Sequence, residues 1–177
     1  MSDKTKNNAS LNNKKKLLYS LAFAEAYKGD RKGFDPNIMD KDVAGITWTA
    51  LNRAKRGGRF GVNLSKVVYN RSQFTGVGSV EWQKAFNEKF VNAAEKNRYK
   101  RIQEVVDGVL EGAVEDPTNG ADHYYNPTLA SPGWGKLRSP KSVGEWENYY
   151  EPTGFDSGRH EFFRETLSTP ERRKDAR

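Results

Sequence analysis

The stretch Leu17-Leu18-Tyr19-Ser20-Leu21-Ala22-Phe23-Ala24-Glu25 decides how this chain is read. Its apolar residues Leu17, Leu18, Leu21, Ala22 and Ala24 recur at spacings of three and four, the period of a helix with one buried stripe. The spacing predicts a helix from Asn13 to Lys28, ended by Gly29. Glu25 follows Leu21 by four positions and Leu17 by eight, so a continuous helix projects it from the same stripe as the core leucines. Two readings of that position stand. In one, the carboxylate pairs with Lys28 or Arg53, or simply finishes the helix. In the other it sits at the core's edge in a cleft, where partial desolvation raises its pKa and lets it act as a general acid.

Outward from this helix, Asp30 to Asp40 contains Gly33 and Asp35-Pro36 and reads as a loop. A second helix is predicted over Asp42–Ala54, with Val43, Ile46, Thr47, Ala50 and Leu51 at helical spacing. Asn63 can cap a short helix through Leu64, Val67 and Val68, and Ser79 a third long helix through Trp82, Phe86, Phe90 and Ala93. A fourth is predicted over Tyr99–Val114, stopped by Asp116-Pro117. Beyond it, proline and glycine punctuate the chain every few residues, leaving loops and short strands at Asp122–Asn126 and His160–Arg164. The expected fold is α+β: one α-rich domain with a small β/loop-rich C-terminal part.

The length of 177 residues fits one domain, and the 12% aromatic content supplies a core despite the polar composition. The absence of cysteine excludes disulfide scaffolds, zinc-thiolate sites and cysteine nucleophiles. The net charge of +7 gathers at the ends, in Lys4, Lys6 and Lys14–Lys16 and in Arg172, Arg173, Lys174 and Arg177. Residues 1–13 are therefore expected to be a disordered basic leader, 14–164 the ordered domain and 165–177 a charged tail. A body this close to neutral is not built for specific nucleic-acid binding. The arms suit salt-screened contact with an anionic membrane or wall surface. No apolar run approaches the roughly 20 residues that span a bilayer. The short run after Lys16 is broken by Glu25 and lacks a small-x-small cleavage site, so no secretory signal is predicted.

Asp116-Pro117-Thr118-Asn119-Gly120-Ala121-Asp122-His123-Tyr124-Tyr125-Asn126-Pro127 packs turn residues, amides and aromatics into a dozen positions. Such a loop suits a sugar, whose ring faces stack on aromatics and whose hydroxyls need partners. It equally suits a structural loop whose tyrosines fill the core. Gln73-Phe74-Thr75 poses the same choice. His123 and His160, with Asp116, Asp122 and Glu161, raise a metal site, but no HExxH or comparable spacing accompanies them. An internal hydrogen bond is the simpler expectation for His160. No GxSxG elbow, phosphate-binding Gly-Lys-Ser/Thr loop or GxGxxG is present.

Taken in order, these pieces resemble the SleB-type cell-wall hydrolases, which include spore-cortex-lytic enzymes. The resemblance is carried by Ala24-Glu25-Ala26-Tyr27-Lys28-Gly29-Asp30, by Ala44 to Arg53 closing in Leu51-Asn52-Arg53, by Val67-Val68-Tyr69 with Gln73-Phe74-Thr75, by the Asp116–Pro127 box, and by Gly158-Arg159-His160-Glu161-Phe162. Asp30 stands where the family usually has a second glutamate, and Arg31–Lys41 and Ser139–Phe155 look longer than the family norm.

The resemblance implies a lysozyme-like α+β fold and cleavage of peptidoglycan between N-acetylmuramic acid and N-acetylglucosamine, with no cofactor or metal. Its catalytic glutamate falls on Glu25. Gln73, Phe74, Thr75, Tyr124, Tyr125 and Asn126 are the candidate sugar-holding residues, and Asp30 and Asp122 the candidates for a second carboxyl. A lytic transglycosylase, which needs one carboxyl, is favoured over a hydrolytic muramidase, which typically uses two. A non-catalytic glycan- or nucleic-acid-binding module is the competing class. A monomer is expected. So is a phage-lysin setting: synthesis in the host cytoplasm, then action on the wall through a membrane pore or from a virion, with the spore coat as the alternative.

Overall fold

The computed structural model describes residues 2–29, 33–70, 73–128 and 150–165. Among the described residues, five α-helices precede a three-stranded antiparallel sheet, so the fold is α+β and helix-rich, as expected. α1 spans Ser2–Glu25, α2 Pro36–Arg56, α3 Leu64–Tyr69, α4 Val80–Phe86 and α5 Ala93–Leu110, with a single 3-10 turn at Gly58–Phe60. The strands are β1 (His123–Tyr125), β2 (Tyr150–Asp156) and β3 (Glu161–Glu165), in the order β1-β3-β2.

α1 is the axis of the molecule. Every residue from Leu17 to Phe23 is buried, not only one stripe, because α2, α3, α4 and α5 all pack against it. A helix covered on every side needs no polar face along that stretch. Its first half differs: the helix starts at Ser2, where the sequence reading has a disordered leader, and Asn8 to Lys14 are exposed.

Asp35-Pro36 opens α2 instead of marking a loop. The Asp35 carboxylate accepts the Asn37 N–H at 2.8 Å, and Pro36 takes the first helical position, where its missing N–H costs nothing. The expected long third helix is two elements. Ser79 caps α4 through the Trp82 N–H, but Glu88 has a positive φ of 53°, and Asn92 then caps α5 through the Glu95 N–H. α5 ends at Leu110, before Asp116-Pro117, where Gly112 in a left-handed conformation returns its N–H to the Val109 carbonyl.

β1 pairs with β3 through His123↔Phe163, Tyr124↔Phe162 and Tyr125↔Glu161. β2, absent from the sequence reading, contains Pro152 and Gly154 and pairs with β3 across a register shift between Pro152 and Asp156. Among the described residues β2 lies at the edge of the sheet, a position that tolerates both. The sheet closes on α2 at Gly45, where any Cβ would run into the Phe162 ring and come within 3.1 Å of Phe155.

Candidate active site

Glu25 is the last residue of α1 and is half-buried. It makes no ion pair with Lys28 or Arg53 among the described residues. Its Oε1 instead accepts the backbone N–H of Gly76 and lies 3.5 Å from the Thr75 hydroxyl. Gly76 is required by closeness: a Cβ there would sit 2.9 Å from Glu25 Oε1 and 2.9 Å from the Ala24 methyl. The Gln73–Thr75 turn therefore reaches the carboxylate through its following glycine.

Two consecutive residues of α2 hold the surrounding loops. Arg53, 5% exposed, donates Nε to the Asp122 carbonyl at 2.6 Å and Nη1 to the Gln73 carbonyl at 2.9 Å. Its guanidinium also covers the Phe74 ring at 4.6 Å. Asn52 donates Nδ2 to Asp116 and to the Ala121 carbonyl, both at 3.0 Å. Asp116 in turn accepts from the Thr118 N–H and hydroxyl and from the Gly120 N–H, closing the Asp116–Ala121 turn on itself. Leu51-Asn52-Arg53 thus pins both the Gln73 turn and the Asp116 box to one helix end.

The box delivers Tyr124 towards Glu25. The Tyr124 ring packs on Phe74, Phe162 and His160, at centroid distances of 6.3, 5.6 and 5.0 Å. Burial first, and then the negative charge of Glu25, raise its pKa well above the ordinary tyrosine value, so the phenol keeps its proton. Behind it, Asp42 is fully buried and accepts three hydrogen bonds: from the Tyr27 N–H at 2.8 Å, the Ser157 hydroxyl at 2.5 Å and His160 Nδ1 at 2.8 Å. His160 makes the expected internal bond. Asp42 ties the chain just after Glu25 to the β2–β3 hairpin.

The remaining candidates are placed differently. Phe74 is 2% exposed and belongs to the core beneath the turn, so it supports the site from below and presents no face to a sugar. Tyr125 points to the opposite sheet face from Tyr124, stacked on Phe163 and bonded to Glu161. Gln73 donates Nε2 to the Phe60 carbonyl at 2.7 Å, and its Oε1 is buried with no partner among the described residues. Asn126 Oδ1 holds the Thr128 N–H and hydroxyl, while its Nδ2 is buried and also unpartnered. Buried polar atoms of this kind are uncommon without a ligand or water to meet them.

Asp122 is 1% exposed and does not serve as a free second carboxyl. Its Oδ1 accepts from His123 Nδ1 and the Glu165 N–H, and its Oδ2 is paired with Arg56. Burial pushes its pKa up, but His123, the Glu165 N–H and Arg56 outweigh that and hold it below the ordinary value. His123 is lowered, chiefly by burial. Asp30 lies outside the described residues. Sequence reasoning weighed Arg53 as a partner for Glu25 and quoted Leu51-Asn52-Arg53 as a motif without giving Asn52 a role, and it missed Gly76, Asp42 and Ser157. The signal for Arg53 and Asn52 was present, two polar residues closing an apolar helix, but nothing local told what they would bind.

A half-buried carboxyl held at a helix end by one backbone N–H, beside a phenol that stays protonated, is equipped to give and take a proton. The profile of the family described as Cell Wall Hydrolase matches residues 40–150, well over half of the chain. The chain belongs to the SleB-type cell wall hydrolase family. The match contains the Asn52-Arg53 clamp, the Gln73–Gly76 turn and the Asp116–Asn126 box, while Glu25 and His160 lie on either side of it. Membership in the cell wall hydrolase family makes this a peptidoglycan-degrading enzyme. No curated protein and no solved structure gives a significant match.

Proposed function

We propose that the enzyme is a lytic transglycosylase that cuts between N-acetylmuramic acid and N-acetylglucosamine, with Glu25 as its acid and then its base. The observation that supports this reading is that, among the described residues, no second carboxylate is bonded at Glu25, while Asp122 has both oxygens bound elsewhere. Protonated Glu25 gives its proton to the bridging oxygen as the C1–O bond breaks through an oxocarbenium-like state. The carboxylate left behind takes the proton of the muramic acid 6-hydroxyl, whose oxygen closes on C1 as a 1,6-anhydro ring. The proton lost by Glu25 in the first step is regained in the second, so no water and no second carboxyl enter. Thr75 and Tyr124 flank the carboxyl and are the groups best placed to hold the sugar there. The unpartnered atoms of Gln73 and Asn126 fit the same role, since sugar hydroxyls both donate and accept.

The test is mass spectrometry of soluble fragments released from purified peptidoglycan by wild type and by Glu25→Gln. Anhydro-ended fragments from wild type, and a loss of at least about 100-fold in the variant, are expected for a residue that supplies both proton transfers. Hydrated reducing ends would refute the transglycosylase route and require a second carboxyl.

A further inference from the structure

A cleft of about 900 Å³ opens beside the end of α1, against the first turns of α5. Lys28, three residues beyond Glu25, lines it together with Phe34, Glu81, Glu95, Asn97 and Arg98. It adjoins the proposed site where Lys28 senses the charge of Glu25, and it is tied to α1 by Arg98 Nη2, which donates to the Phe23 carbonyl at 3.2 Å. Nothing in the cleavage chemistry above uses it.

Its cations are incompletely matched. The Arg98 guanidinium rests 3.7 Å from the Phe23 ring centroid, with Nη2 3.6 Å from Glu81. Its Nη1 is buried with no hydrogen-bond partner among the described residues. A guanidinium keeps its charge and its five donors in a fixed fork, so an unmet nitrogen calls for an acceptor such as a carboxylate. Lys28 lies 4.0 Å from Glu81, which also contacts Lys84 and Arg98, so one carboxylate is shared among three cations. Burial lowers the Lys28 pKa, a cost that an incoming anion would relieve.

The wall carries Lys28, Arg98, Lys100 and Arg101 against Glu81, Glu95 and Glu104, Arg101 being already paired with Asp40 at 2.7 Å, and the exposed Phe34 ring lies at its rim. A polyphosphate entering it meets carboxylates as well as cations. A short peptide bearing free carboxylates and a free amine meets a complement for each. We propose that this cleft binds the peptide carried on the sugar strand, Arg98 and Lys28 receiving a carboxylate and Glu81 or Glu95 the amine. The proposal rests on the peptidoglycan-cleaving reading and adds to it a second point of substrate recognition, beyond the groups around Glu25.

Two measurements on the full chain test it. In the first, wild type acts on peptidoglycan strands with their peptides and on strands stripped by an amidase, and KM is about tenfold lower for the peptide-bearing strands, the worth of one charge-assisted contact. In the second, calorimetric titration with a synthetic N-acetylmuramyl tripeptide gives binding that is lost when its carboxylates are amidated. Arg98→Gln weakens that binding about tenfold and brings the KM ratio towards one. If Arg98→Gln fails to fold, Lys28→Gln carries the test, because that side chain is 44% exposed. Equal KM for both strands, equal binding of the amidated peptide, or displacement of the peptide by poly(glycerol phosphate) would each overturn the proposal. A protein that binds the peptide yet cuts neither strand would sink the reaction and keep the cleft, and one that cuts both alike while ignoring the peptide would do the reverse.

Discussion

Replacing Gly76 by alanine tests the hold on Glu25 most directly. The added methyl would stand 2.9 Å from Glu25 Oε1, 3.2 Å from its Cδ and 2.9 Å from the Ala24 Cβ. The carboxylate can swing aside, but the Ala24 methyl is fixed to α1, so the turn itself must retreat and the Gly76 N–H leaves the carboxylate. A hydrogen bond to a charged group contributes about 1.5–3 kcal/mol. If that bond orients the carboxyl in the transition state, kcat/KM falls about 10- to 150-fold, at roughly 1.4 kcal/mol per decade. Overpacking adds about 1–3 kcal/mol of destabilisation, which lowers Tm by about 2–12 °C for a chain of this size. The assay is the initial rate of soluble-fragment release from purified peptidoglycan, run beside a thermal melt. Thr75→Val removes the 3.5 Å contact and the hydroxyl proposed to hold the sugar but leaves the Gly76 N–H on the carboxylate, so it is expected to raise KM without lowering Tm. A Gly76→Ala protein whose rate stays within about twofold of wild type would refute the argument that this N–H holds the catalytic carboxyl.

Gly45→Ala drives a methyl into the Phe162 ring where the sheet meets α2, and is expected to cost about 1–3 kcal/mol in urea unfolding; unchanged stability would mean that the contact is looser than described. Asp42→Ala strands the Tyr27 N–H, the Ser157 hydroxyl and His160 Nδ1 at once, at about 1–3 kcal/mol for each buried donor, so a loss of less than about 2 kcal/mol would contradict the network. Acid should destabilise the fold through His123 and Asp122. Both pKa values are held below their ordinary 6.5 and 3.8, so the stabilisation each gives is complete above those values and is lost as pH falls through the lowered ones. Melts of wild type and Asp122→Asn should therefore converge below pH 3.8, and a gap that widened in acid would reverse the sign assigned here.

Glu25 was legible because a carboxylate on an apolar stripe is anomalous whatever the fold, and the structure does place it at a helix end facing a turn. The order of helices was legible from periodicity alone. Boundaries failed where a residue has two local uses: Asp35-Pro36 serves a loop or a helix start, and only the docking of α2 decides. The split between α4 and α5 was hidden because Trp82, Phe86 and Phe90 keep helical spacing across the break, and all three are packed at least partly against one core. β2 carries Pro152 and Gly154, which argue against a strand unless its edge position is known. The sugar-binding set was legible as loops but not as faces. Strand pairing, set by residues some 40 positions away, turns Tyr124 inward to Phe162 and Tyr125 to the other side.

The Asn52-Arg53 clamp makes the proposed site a product of the whole fold. Glu25 comes from the first helix, the turn that holds it depends on Arg53, and the ring beside it is seated by His160 near the third strand. The proposed acid thus stands in an organised site only with the β2–β3 hairpin closed over Asp42. Long-range contacts, not any one segment, assemble the proposed site.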